Sequence, residues 1–334
     1  MTAVARPDVV ERIGQTPLVE LKSFSTKNVK FYAKLEWHNP FGSVKDRAAY
    51  WMIKDAEKKG VLKKDKSIII EPTSGNTGIA LTGIATALGY KIEIVIPERV
   101  SDETKDILRH LGATLHETSD DLCPRVGAGT DQSIALAKAI SKPQPEIYYM
   151  PNQYENDANF LAHYESTGPE IWKQTNGTVT HFLTGCGTGG TITGTATFLK
   201  EQNKGVRVIA IQAQPNHLLQ GLRNFEESSM PDLFKRRVGV VDEWITATNK
   251  DSFDAVRQLA EKENMLVGPS SGSVMSSMME VAQNLDHGVV VGIFADDGRK
   301  FRSLYTRENI LGEQEYDKAL KNAKHISKLA YSLN

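Results

Sequence analysis

Short apolar runs rich in Val and Ile recur along this chain, each followed by Gly or Thr and then a stretch with helical spacing. That rhythm constrains the fold more than any other feature. Fully apolar strands need cover on both faces, and parallel neighbours need crossover helices. Strands are expected at Val29–Leu35, 67–71, Lys91–Pro97, 114–116, 146–150, 181–184, 206–213 and 289–295. Ser101, followed by Asp102 and Glu103, supplies a cap and an acidic first turn for a helix that Gly112 closes. The chain therefore reads as α/β, with parallel strands joined by helices.

Of the 334 residues, 40% are hydrophobic, enough for one large core or two modest ones, and two domains are expected. The polar stretch 151–159 is the candidate boundary, since no long linker, repeat or low-complexity segment occurs. Forty basic residues against forty-one acidic ones give a net charge of -1, so no global field draws the protein to nucleic acid or an anionic membrane. A small-molecule partner is expected. The N-terminus is polar and broken by Pro7 and Gly14, without the apolar run of a signal peptide, so a cytoplasmic location is expected. Cys123 and Cys186 are the two cysteines, which excludes a disulfide scaffold and an all-thiolate metal site; no metal is expected.

Four segments carry chemistry. The first, N-P-F-G-S-V-K-D-R at 39–47, places Lys45 near a helix start. There the positive end of the helix dipole and nearby Arg47 both favour the neutral amine needed for Schiff-base formation, although a lone lysine is also an ordinary surface charge. The second, E-P-T-S-G-N-T-G at 71–78, lies between a strand and a helix. Its free backbone amides and the hydroxyls of Thr73, Ser74 and Thr77 suit a carboxylate, and equally an ordinary capped turn. The third, T-G-C-G-T-G-G-T-I-T-G at 184–194, packs five glycines and four threonines into eleven residues. Close backbone approach, successive amides and the hydroxyls of Thr188 and Thr191 suit a phosphate. Gly185, Gly187 and Gly190 also satisfy the dinucleotide pattern G-x-G-x-x-G, but the next strand runs into Gln214 and Pro215 instead of the acid a ribose requires. The fourth, G-P-S-S-G at 268–272, can be read as a hydrolase nucleophile elbow. Ser270, Asp296 or Asp297, and His325 occur in the hydrolase order, but that reading leaves the other three segments unexplained.

In this order, N-P-F-G-S-V-K-D-R, P-T-S-G-N-T-G, G-T-G-G-T-I-T-G and S-S-G resemble the cysteine synthase and cystathionine β-synthase family of fold-type II pyridoxal-phosphate enzymes. The resemblance spans nearly the whole chain, from I-G-Q-T-P-L at 13–18 to N-Q-Y-E-N-D-A-N and H-Y-E-S-T-G-P-E between Asn152 and Glu170. It implies two α/β domains with pyridoxal 5'-phosphate in the cleft between them. Residues 1–44 and 155–334 would form the larger, cofactor-binding domain, and 45–154 a smaller mobile one. Lys45 would hold the cofactor as a Schiff base, Asn76 would bond its phenolic oxygen, and Gly187, Thr188, Gly189, Gly190 and Thr191 would cradle its phosphate. Ser270 would face the pyridine nitrogen, and Thr73, Ser74, Gly75, Thr77 and Gln153 would bind the substrate carboxylate. A twofold homodimer is implied as well.

The implied reaction is β-replacement on an activated L-serine by a sulfur nucleophile, through an aminoacrylate, to give L-cysteine. In G-L-R-N at 221–224, Arg223 resembles the arginine that phosphoserine-using members place near the leaving phosphate, where a planar bidentate cation suits a dianion. Phosphoserine is therefore the expected preference, with acetylserine secondary. Sulfide, thiosulfate, a sulfur-carrier protein or homocysteine would all serve as acceptor, and homocysteine would make the protein a cystathionine β-synthase. Pro269 and A-D-D-G-R-K-F at 295–301 depart from the family pattern, and 120–129 reads as an exposed loop without an assigned purpose.

Overall fold

Ile69 and Ile70 are both wholly buried although successive side chains of a strand point to opposite faces, as a parallel sheet covered on both sides requires. The computed structural model describes residues 7–73, 75–98, 100–119 and 128–330. Its strands are β1 (Leu18–Glu20), β2 (Val29–Leu35), β3 (Ile68–Pro72), β4 (Lys91–Pro97), β5 (Thr114–Thr118), β6 (Tyr148–Tyr149), β7 (His181–Gly185), β8 (Arg207–Ala213), β9 (Glu243–Ala247) and β10 (Gly288–Phe294). They form two sheets in two compact units. One unit holds the described residues up to Ile13 together with Asn39–Ala162, and the other holds Gly14–His38 and the described residues from His163 onward.

The first unit has a parallel sheet of order β5-β4-β3-β6. Its helices are α1 (Lys45–Lys58), α2 (Asn76–Leu88), α3 (Asp102–Leu111), α4 (Ala128–Ser141) and α5 (Asp157–Ala162). Ile69, Ile92, Ile94 and Ile96 pack on one face against Met52 and Ile53 of α1, Leu81 and Ile84 of α2 and Leu108 of α3. Ile70 and Val95 pack on the other face against Ala137 of α4. Ser101 caps α3 by accepting from Thr104 N, and Gly112 ends it with φ of +104°, both as expected. Part of the stretch read as an exposed loop, residues 120–127 including Cys123, lies outside the described residues; positions 128 and 129 instead begin α4.

The second unit has the sheet β1-β2-β10-β7-β8-β9, parallel except for β1. Its helices are α6 (Gly168–Gln174), α7 (Gly190–Gln202), α8 (Asp232–Lys235), α9 (Asn249–Lys262), α10 (Pro269–Ala282), α11 (Arg302–Arg307) and α12 (Glu313–Ala330), with a π-helical segment His163–Thr167 before α6. Leu183, Ile209, Ile211, Val290 and Phe294 share one core with Val256 and Leu259 of α9 and Val274 and Met278 of α10. Edge strands β1 and β9 are not among the strands expected from sequence. Glu243–Ala247 alternates exposed and buried residues at its inner end and carries no continuous apolar run. The I-G-Q-T-P-L and T-G-P-E segments meet in a buried polar network. Lys34 Nζ donates to Thr16 O at 2.6 Å, Glu170 Oε2 at 2.7 Å and Gln174 Oε1 at 2.8 Å, and the Thr16 hydroxyl donates to Glu36 Oε1 at 2.7 Å. Among the described residues no helix is long and apolar enough to cross a membrane.

Candidate active site

Lys45 is the first residue of α1, half-buried at the helix's positive end, with Asp46 and Arg47 beside it buried. The turn before it is tied to the helix by two bonds. Ser43 Oγ accepts from Lys45 N at 3.2 Å, and Asp46 Oδ2 accepts from Phe41 N at 2.6 Å. Phe41 occupies the space a Cβ on Gly83 of α2 would need, 2.1 Å from its ring, so α1 seats closely on α2. The segment that carries Lys45 is thus a helix start tied to the turn before it.

In the same unit, β3 ends at Pro72 and α2 starts at Asn76, so Thr73 and Gly75 lie in a loop beyond the carboxyl end of a parallel strand, where α/β sheets bind ligands. Ser74 lies outside the described residues. Gly75 has no heavy atom within 4 Å of where its Cβ would be, which leaves the backbone open on that side. Thr77 and Gln153, 76 positions apart, are brought together: the buried Thr77 hydroxyl donates to Gln153 Oε1 at 2.8 Å.

Glu71, which carried no role in the sequence reading, lies wholly buried beneath this pair and accepts from the N–H groups of Asn152 at 3.0 Å and Gln153 at 3.2 Å. Burial pushes its carboxyl up to about 7, against the opposing pull of those two hydrogen bonds. A single acid ending an otherwise apolar strand run was the signal available in the sequence.

In the second unit, α7 starts at Gly190, so the amides of its first turn have no partner within the helix. Gly189 precedes it at φ of +88°, and a Cβ there would lie 2.4 Å from Phe234 Cβ; a Cβ on Gly187 would lie 2.9 Å from Gly221 O. The turn is therefore a backbone cradle closed to side chains. Thr188 is buried, and the Thr191 hydroxyl meets Nε2 of buried His163 at 3.2 Å, whose Nδ1 meets Thr167 Oγ1 at 2.9 Å. In sequence His163 stands out only within H-Y-E-S-T-G-P-E, because its contact with Thr191 spans 28 positions. Cys186, also in this segment, is a free buried thiol pushed up to about 12 by burial.

Ser270 lies in the first turn of α10, where Pro269 takes a position that suits proline. Ser271 and Ser273 spend their hydroxyls on Asp296 O and Pro269 O, whereas Ser270 Oγ makes no hydrogen bond among the described residues. A Cβ on Gly221 would lie 3.6 Å from Ser270 Oγ. Gly187, Gly221 and Ser270 are thus neighbours, and Arg223 follows on a loop pinned by Arg223 N donating to Cys186 O at 2.9 Å.

Within the second unit, the open amides at the start of α7 and the adjacent Ser270 hydroxyl, without a partner among the described residues, suit an anionic group; in the first unit, by itself, a lysine stands at a helix start. The family model of pyridoxal-phosphate dependent enzymes matches residues 9–296. The cysteine synthase of Aquifex aeolicus is 41% identical over 306 residues, covering 89% of this chain and 91% of that protein. The cystathionine beta-synthase of Apis mellifera is 38% identical over 322 residues, covering 90% of this chain and 62% of that longer protein. The crystal structure of cysteine synthase from Entamoeba histolytica superposes with a TM-score of 0.83 at 30% identity, covering 95% of each chain.

The chain belongs to the family of pyridoxal-phosphate dependent enzymes, within its cysteine synthase and cystathionine β-synthase branch of fold type II, and its cofactor is pyridoxal 5'-phosphate. The dinucleotide and hydrolase readings are thereby set aside. Replacing Gly189 by alanine is expected to weaken cofactor binding by roughly tenfold or more, because the left-handed backbone and Phe234 both oppose a side chain. Fluorescence titration of cofactor-free protein with pyridoxal phosphate measures this, and unchanged affinity would contradict the cradle.

Proposed function

We propose that this enzyme replaces the leaving group on Cβ of O-phospho-L-serine with sulfide to give L-cysteine, and accepts O-acetyl-L-serine more slowly. The observation that carries the phosphoserine preference is the position of Arg223, on the loop that borders both the Gly187 turn and Ser270. A bidentate guanidinium there complements a departing dianion far better than a neutral acetyl group.

In this reading Lys45 anchors the cofactor and Gly187, Thr188, Gly189, Gly190 and Thr191 hold its phosphate. Asn76 would bond the ring's phenolic oxygen, and Ser270 would meet the ring nitrogen with a neutral hydroxyl. Pyridoxal phosphate supplies, when bound, an aldehyde for amine linkage and a conjugated ring that takes up electron density released at Cα. Thr73, Gly75, Thr77 and Gln153 hold the substrate α-carboxylate. Lys45 Nζ would accept the Cα proton, the Cβ–O bond would break as phosphate leaves, sulfide would form the Cβ–S bond, and Lys45 would return the proton to Cα. A twofold homodimer, which the family pattern implies, and a cytoplasmic location, which the polar N-terminal segment suggests, are part of the same reading.

Replacing Arg223 by alanine is expected to lower kcat/KM for phosphoserine by roughly 10- to 100-fold and to leave the value for acetylserine unchanged. Equal losses with both substrates, or none with either, would sink the preference. The similar identity to a cystathionine beta-synthase supports homocysteine as the alternative acceptor. Product analysis with sulfide, thiosulfate and homocysteine supplied separately distinguishes the two.

A further inference from the structure

Glu71 is the next-to-last residue of β3, and its side chain is wholly buried. Its two oxygens take separate partners, Oε2 the N–H of Asn152 at 3.0 Å and Oε1 the N–H of Gln153 at 3.2 Å. Adjacent amides converge on one anion when the residue between them departs from extended backbone, and Asn152 adopts a left-handed φ of +51°. Asparagine is among the few side chains that enter that region readily. The buried charge and the unusual backbone therefore support each other.

The clamp reaches beyond the backbone. Gln153 O accepts from Asn159 Nδ2 at 2.8 Å, and Gln153 Oε1 accepts from the Thr77 hydroxyl at 2.8 Å. With main chain and amide oxygen both engaged, the Nε2 hydrogens of Gln153 remain, donating to nothing among the described residues.

Building on the carboxylate-binding role proposed for Thr77 and Gln153, we propose that Glu71 is the positioning residue of that subsite. Its ionised carboxylate holds the Asn152–Gln153 amides and so aims the Gln153 donors at the substrate carboxylate without touching it. An amide at position 71 would present an NH2 to one of the two N–H donors, and a protonated carboxyl would meet one of them with a weaker-accepting hydroxyl oxygen, so the anion serves both best. Because burial raises the carboxyl to about 7, that form is depleted as pH falls through neutrality. Tyr149 of β6 is the titratable side chain that senses Glu71. Burial first and then the Glu71 charge raise its pKa, so it stays neutral, and its hydroxyl donates to Met52 O at 3.2 Å. Asp55 acts on Tyr149, and the neutral Asn156 bonds the same hydroxyl.

The test uses holoenzyme and L-alanine, which carries the α-amine and α-carboxylate but no leaving group. Binding is read from the visible spectrum, and borohydride trapping at Lys45 reports cofactor loading. Wild-type protein is expected to bind L-alanine progressively more weakly below about pH 7. Glu71→Gln should raise the apparent Kd by roughly tenfold at about pH 8, remove this acid limb and leave borohydride trapping unchanged. Gln153→Ala should weaken binding and also lose the limb, having no side chain left to aim. Wild-type affinity and an unaltered limb in Glu71→Gln overturn the role of Glu71, as does a limb that persists in a weakened Gln153→Ala. Wild-type affinity in Gln153→Ala instead overturns the carboxylate subsite itself. The comparison of wild type with Gln153→Ala decides the matter even if Glu71→Gln does not fold.

Discussion

Replacing Lys45 by alanine is expected to abolish the borohydride-sensitive visible band and to lower turnover by at least about 10³-fold. The residue is asked to do two things: anchor the cofactor through its amine, and carry a proton to and from Cα. No neighbouring lysine of α1 can substitute, because Lys54 and Lys58 lie two and more turns along the helix, with Lys54 engaged by Glu57. Absorbance spectra, mass analysis of the borohydride-reduced peptide and single-turnover rates check the two roles separately. Native turnover by Lys45→Ala, or reduction trapped on another lysine, would remove the assignment.

The second large effect is on stability. Lys34 is wholly buried, and its ammonium serves Thr16 O, Glu170 and Gln174 together. Lys34→Met should fill much of the volume but leave the Glu170 carboxylate, which is 17% exposed, without its cation. Breaking such a pair on one side costs about 3 kcal/mol, the lower end of the range because Glu170 keeps some water. The melting temperature should fall by roughly 4 °C. Calorimetry of the holoenzyme measures this, and the double variant Lys34→Met with Glu170→Gln should recover part of the loss, since no charge is then stranded. A single variant as stable as wild type would show that the network contributes no net stability.

Much of the fold is legible before any coordinates. The runs at Val29–Leu35 and Lys91–Pro97 coincide with β2 and β4, because strands covered on both faces are predominantly apolar, even though β2 also carries Lys30 and Lys34 and β4 Lys91 and Glu93. Edge strands β1 and β9 are not legible in this way, having solvent on one side and short, mixed sequences. The glycine-rich turn at 184–194 announces itself by composition, since close backbone approach excludes side chains whatever the surroundings. Its reason appears only in space: Phe234 fills the position of a Gly189 Cβ, and Gly221 O that of a Gly187 Cβ.

By sequence alone, the apolar runs determined the α/β sheet type, because burial on both faces is a local property, and the ordered motifs carried the family resemblance that implied class and cofactor. The tertiary structure decided what those signals cannot encode. Glu71 meets amides 81 and 82 positions away, and Lys34 reaches acceptors 136 and 140 positions away. A buried charge is tolerable only where distant parts of the chain converge to satisfy it, and that convergence exists only once the sheets have formed.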